Sequence, residues 1–289
     1  MSSTFAIPAS RAASTLQETL FVSGSDLFAL GHYPGNPVYP GALMLERMLA
    51  MAGALVSGTL GQPARATAVK RVQYLGVVVP GDVVTLEACV LEQSANKVTC
   101  QAVASVGGDA RVRATIECGL DSGIAPSPVL SNPTTAVKET NAPALAHQEI
   151  ARLLPHRYPF VLLDTVQTYS PGAHMLATKV INRESPILGR NPPDTYPAAL
   201  AIESFGQAGV ALYFLSQTDN APAHALVGAM RDVTLLREIP YDTILTLDVR
   251  IERMMANAVV FGGDLRIGDE AVIRIGSLVV MIAPMQAGS

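Results

Sequence analysis

Cysteine and charge are scarce in this chain of 289 residues: there are three cysteines, and only 15% of the residues are charged. Cys89, Cys100 and Cys118 are odd in number and lack the spacing of a metal site, which excludes a disulfide framework and argues against bound zinc. They read as small core or sheet residues. A net charge of −4 with no basic run argues against nucleic acid or an anionic membrane as the main partner. No basic segment followed by a sustained apolar stretch opens the chain, and no later apolar run reaches bilayer length, so a soluble protein of the reducing cytoplasm is expected. A glycine-rich phosphate loop is also missing, and no cofactor is expected. What is abundant is apolar: hydrophobic residues make up 49% of the chain, enough for substantial cores.

The chain repeats itself. VYPGALMLE, ending at Glu46, returns as TYPAALAIE, ending at Glu203, with Tyr39, Pro40, Ala42, Leu43 and Glu46 each matched 157 residues later. Pro80 and Asp82 return as Pro240 and Asp242. Between the copies, residues 121–145 are rich in Pro, Ser, Thr and Asn without hydrophobic periodicity and read as a linker. Two domains follow, residues 1–120 and 146–289. Each contains one long helix, residues 41–57 and 198–216, that is apolar almost all round and must therefore be wrapped. The segments after each helix are β-branched and separated by turn pairs such as Pro80-Gly81, which reads as antiparallel strands. The expected class is α+β, with each sheet curled around a central helix.

The run GHYPGNPVYPGALMLE, residues 31–46, resembles the active-site segment of the hotdog-fold 3-hydroxyacyl-acyl-carrier-protein dehydratases. EIARLLPHRYPFVLLDTV, residues 149–166, is similar to the N-terminal segment of the same family. The resemblance implies a double hotdog, two units paired as a pseudo-dimer, in which each site takes its histidine from one unit and its acid from the helix of the other. One composite site would then join His32, placed in a Gly/Pro-rich loop, to Glu203. Gly41 would offer its amide to the thioester carbonyl, and Gln207 would lie one helical turn after the glutamate. The second site would join Glu46 to Arg190, which stands opposite His32, and to Ala198, which stands opposite Gly41. Arginine stays protonated and cannot act as a base, so this site is expected to be degenerate, with Glu46 a hydrogen-bonded vestige or an ion-pair partner of Arg190.

Dehydration of a 3-hydroxyacyl thioester needs one base and one acid. An imidazole titrating near its ordinary value of about 6.5 suits the first role, and a carboxyl raised by burial in an apolar helix suits the second. His147, His156, His174 and His224 are expected to be structural, although His156-Arg157-Tyr158 resembles the family's N-terminal signature. Met44, Met48 and Met51 read as core filling that could line an acyl tunnel. The implied partner is an acyl carrier protein bearing a phosphopantetheine-linked chain in fatty acid, polyketide or polyene assembly, docked on a local basic patch for which Lys70, Arg71 and Arg65 are candidates. Further association of the pseudo-dimer is open. The alternatives are a hotdog thioesterase and a non-catalytic acyl-thioester binding subunit.

Overall fold

The computed structural model describes residues 15–94, 97–120, 143–189, 191–217 and 223–284. Most of the expected linker, residues 121–142, and Arg190 lie outside them; Leu145, at its end, already belongs to a strand.

The first half runs β1 (Thr15–Phe21), α1 (Leu27–His32), α2 (Gly41–Leu60), β2 (Ala64–Tyr74), β3 (Val83–Gln93), β4 (Val98–Val106) and β5 (Asp109–Leu120). The second runs β6 (Leu145–Ala146), α3 (His147–Leu153), β7 (Thr165–Ser170), β8 (His174–Ile181), α4 (Ala198–Leu215), β9 (Ala223–Leu235), β10 (Thr243–Met255), β11 (Ala258–Ile267) and β12 (Glu270–Pro284). Two differences from the sequence reading bear on the site. His32 ends a short helix rather than lying in a loop, because the Asp26 carboxylate caps that helix by accepting from the N–H groups of Phe28 and Ala29, both at 2.9 Å. The two expected sheets are joined edge to edge into one antiparallel sheet of 12 strands, ordered β1-β3-β4-β5-β2-β9-β12-β11-β10-β8-β7-β6.

The join is the β2–β9 pair, where Val69 faces Val233 and Val72 faces Met230. Each strand directly follows a core helix in its own half, so pairing them also covers an edge that would otherwise be open. The two halves thus meet as the resemblance implies for a pseudo-dimer.

Strand alternation turns one face of the sheet onto the helices. In β4, Val98, Cys100, Ala102 and Ala104 point inward and alternate with partly exposed residues. In β5, Val112, Ala114, Ile116 and Cys118 do the same. The cysteines are free and lie in strands β3, β4 and β5, as expected. Both core helices begin directly after a proline, Pro40 or Pro197, and α2 ends at Gly61, whose left-handed φ of 67° lets its N–H close on the Ser57 carbonyl at 2.8 Å. Both are long and apolar enough, by length and composition alone, to cross a bilayer, which the sequence reading had denied. Their burial under the sheet makes them core helices instead: Leu45, Met48, Ala52 and Val56 of α2 have no exposed surface. Truncating Leu45 or Met48 to alanine would cost roughly 2–5 kcal/mol.

Candidate active site

The cavity between the halves has a volume of about 290 Å³. His32, Gly41, Glu203 and Gln207, the four residues expected at the intact site, all line it, and so do His156 and Tyr33.

His32 is 8% exposed, and its Nδ1 lies 3.0 Å from the Val38 carbonyl oxygen. A carbonyl only accepts, so Nδ1 carries the proton and Nε2 keeps a free lone pair. Burial lowers the His32 pKa to about 4, against the ordinary value expected from sequence. The imidazole is therefore neutral near pH 7. Tyr33, edge-on to His32, donates its hydroxyl to the Ala225 carbonyl and so ties the histidine's helix to the strand β9 of the other half.

Glu203 comes from α4. Desolvation raises its pKa to about 7, opposed by the hydrogen bond from Gln207 Nε2 to Oε1 at 3.1 Å. The Gln207 amide also donates to the Phe160 carbonyl at 2.9 Å and accepts from Leu162 N–H at 2.8 Å. It thereby fixes both the carboxyl and the segment that follows His156.

His156 was expected to be structural, and the structure places it in the cavity wall beside His32 and Glu203. It is 4% exposed, its ring stacks on His32 with centroids 5.3 Å apart, and its Nε2 lies 3.8 Å from Glu203 Oε1. Burial lowers its pKa well below the ordinary imidazole range, with His32 and Arg157 adding to the effect. The two histidine segments are laced together: Arg157 N–H donates to the Gly31 carbonyl at 2.7 Å. A Cβ on Gly31 would come within 2.9 Å of the Arg157 and Tyr158 carbonyl oxygens, so only glycine permits this approach. The sequence signal was available, in the match of PHRYPF to the family and in the glycine before His32. His147 and His174 are held as structural residues by Leu163 O and by Asp248 respectively.

Gly41 opens α2, where backbone N–H groups lack intrahelical partners. Its glycine identity has a reason the sequence did not reveal: a Cβ there would sit 2.4 Å from Tyr74 Cε1. At the expected degenerate site, Ala198 opens α4 and the Glu46 carboxylate accepts from Ala199 N–H at 2.9 Å. Glu46 is raised by burial, with that hydrogen bond opposing. Among the described residues, its partner is thus a backbone amide.

A sheet wrapped on two core helices, with a histidine of one half facing a glutamate of the other, defines the double-hotdog class. A FabA-like domain matches residues 15–116. The chain is 31% identical over 137 residues to the 3-hydroxyacyl-[acyl-carrier-protein] dehydratase FabZ of Clostridium kluyveri, covering 47% of this chain and 94% of the relative. It is 34% identical over 127 residues to the FabZ of Variovorax paradoxus, covering 42% and 84%. The chain belongs to the FabZ dehydratase family. Its fold also matches the dehydratase domain of the CurJ module of curacin polyketide synthase, at TM-score 0.65 and 15% identity over 96% of this chain and 94% of that one. A trans-AT polyketide synthase dehydratase domain from Brevibacillus brevis matches at TM-score 0.64 and 14% identity, over 95% and 96%.

Proposed function

We propose that the chain removes water from 3-hydroxyacyl thioesters carried by an acyl carrier protein, giving 2-enoyl thioesters. The observation that carries this reading is the placement of His32 and Glu203, from opposite halves, in one cavity with opposite pKa displacements. In this reading, residues 1–120 and 146–289 are the two hotdog units.

His32 Nε2 takes the proton from the carbon next to the thioester carbonyl. The electron pair left there forms the new double bond as the C–O bond of the 3-hydroxyl breaks, and Glu203 gives its proton to the departing oxygen. Water leaves, with His32 protonated and Glu203 ionised. The two charges stabilise each other in a desolvated site, which offsets the low intrinsic basicity of a buried imidazole. Negative charge on the thioester oxygen is met by the Gly41 amide and the positive end of α2. Gln207 orients Glu203.

The relatives named above are acyl-carrier-protein dehydratases, which supports a carrier protein as the partner, and the basic residues of β2 are the candidates for its docking. Lys70 and Arg71 are exposed on β2, close in sequence to Tyr74 and Leu75 of the cavity wall, with Lys70 3.7 Å from Glu117. Free cysteines and membrane-length helices enclosed by sheet accord with a soluble chain in the reducing cytoplasm.

The test is the purified chain with a 3-hydroxyacyl thioester, followed by the absorbance of the enoyl product. His32→Ala should lower the rate by roughly 10²–10⁴-fold at unchanged melting temperature. Retention of most of the rate would remove His32 from the chemistry, and release of free thiol without enoyl product would make the chain a thioesterase.

A further inference from the structure

The dehydration described above leaves His156 unused. It lies against both groups of that chemistry: its ring stacks on His32 with centroids 5.3 Å apart, and its Nε2 lies 3.8 Å from Glu203 Oε1. One ligand atom each from His32, His156 and Glu203 can be chosen so that all lie within 4.8 Å of one another. We propose that these three side chains chelate a soft divalent cation of the zinc or cobalt type, and that the bound ion excludes the acyl substrate from the cavity.

The donor set is two imidazoles and one carboxylate, a combination that tetrahedral zinc accepts in catalytic sites, with the fourth position left open. Bonds of about 2.1 Å put the donors of a tetrahedral ion roughly 3.4 Å apart, so the separations here need to close by no more than about 1.4 Å. The His156–Glu203 pair, at 3.8 Å, is almost there. Two of the ligands already carry the outer hydrogen bonds that fix metal-binding groups: Val38 O holds His32 Nδ1, which directs Nε2 inward, and Gln207 holds the Glu203 carboxylate. The Gly31–Arg157 bond keeps the two histidine segments together, so little ordering is left for the ion to impose.

Charge limits the affinity. Glu203 supplies one negative charge, while Arg157 lies near enough to disfavour protonation of His156. The Arg157 guanidinium is turned onto the Leu154 and His156 carbonyl oxygens, both at 2.7 Å. The ion would occupy the groups that handle the substrate's protons, and so act as a competitive inhibitor rather than a cofactor. This inhibitory half of the proposal rests on the dehydratase reading, whereas chelation itself does not.

The experiment takes the full chain after treatment with a chelator and titrates it with Co²⁺, reading the visible absorption of tetrahedral cobalt and then its displacement by Zn²⁺. One equivalent should bind, and His156→Asn and Glu203→Gln should each weaken binding at least tenfold while melting close to the parent. In parallel, Zn²⁺ should raise KM for the 3-hydroxyacyl thioester with little change in kcat. Absence of the cobalt spectrum, or unchanged affinity in both variants, would overturn the site. Purely noncompetitive inhibition would overturn the exclusion. A chain that binds cobalt but does not dehydrate when metal-free refutes the dehydratase reading and with it the exclusion, but not the chelation, whereas one that dehydrates without binding cobalt refutes the metal site.

Discussion

The Glu46 carboxylate of α2 accepts the backbone N–H of Ala199 in the first turn of α4, at 2.9 Å, so the glutamate of one half caps the core helix of the other. Ala199 corresponds in the repeat to Ala42, and Glu46 to Glu203. Where the family resemblance suggests a second active site, Glu46 works as a strut, and what it steadies is the helix carrying Glu203. Glu46→Ala should therefore cost about 1–3 kcal/mol by leaving a partly buried donor unpaired, while lowering turnover much less than Glu203→Gln. Melting temperature and turnover measured side by side check this. Loss of turnover in a Glu46→Ala variant that melts normally would give Glu46 a chemical role.

The pH profile follows from the two displaced groups. The base must be neutral, and His32 is neutral above about pH 4; the acid must be protonated, and Glu203 is protonated below about pH 7. The kcat/KM of the free enzyme should rise through the first value and fall through the second. Glu203→Gln cannot ionise, so its residual activity should lose the alkaline fall. Stopped assays from pH 3 to 9 with parent and variant decide it.

Gln207 makes three hydrogen bonds that join Glu203 to the segment after His156. Replacing it by alanine leaves the Leu162 N–H and the Phe160 carbonyl without their side-chain partner. A loss of about 1–3 kcal/mol in stability is expected, together with a fall in kcat larger than any change in KM. Urea unfolding and steady-state kinetics measure the two effects separately. A stable, fully active Gln207→Ala would show that the clamp contributes to neither.

The joining of His32 to Glu203 in one cavity was implied by the family resemblance, which draws the histidine and the acid from different units; duplication, by preserving the spacing of the tyrosine, proline and glutamate around each core helix, showed which glutamate matches Glu46. The helices were legible because a segment apolar on all sides has to be covered. His156 was read as structural despite its family-like PHRYPF segment, since a lone histidine carries no periodicity that would place it at the site. Its place at the site depends on the Gly31–Arg157 hydrogen bond, which joins segments far apart in the chain. The His32 pKa was missed for a related reason, because burial by residues of the other half is a property of assembly. Nor does sequence spacing reveal that Tyr74 is the group requiring glycine at position 41.

Gly206 and Leu49 occupy matched places, each three residues beyond its glutamate, yet one has no side chain and the other is a buried leucine. Glu203, Gly206, Gln207 and Val210 all line the cavity, along about 10 Å of α4 at 1.5 Å per residue. The missing side chain at 206 leaves room beside the acid for an acyl chain, room that a leucine like the one in the other half would fill. A Cβ at 206 would meet only Leu278 and Val227, at 3.7 and 3.9 Å, so Gly206→Ala should fit and raise stability by up to about 1 kcal/mol through helix propensity. Gly206→Leu should project into the cavity and displace the chain instead. Each methylene kept out of an apolar site forfeits about 0.8 kcal/mol, so excluding two should cut kcat/KM for long chains roughly tenfold relative to short ones. A series of 3-hydroxyacyl thioesters of increasing length, compared in parent, Gly206→Ala and Gly206→Leu, measures that ratio. An unchanged length profile in a folded Gly206→Leu variant would mean that the acyl chain does not run along α4.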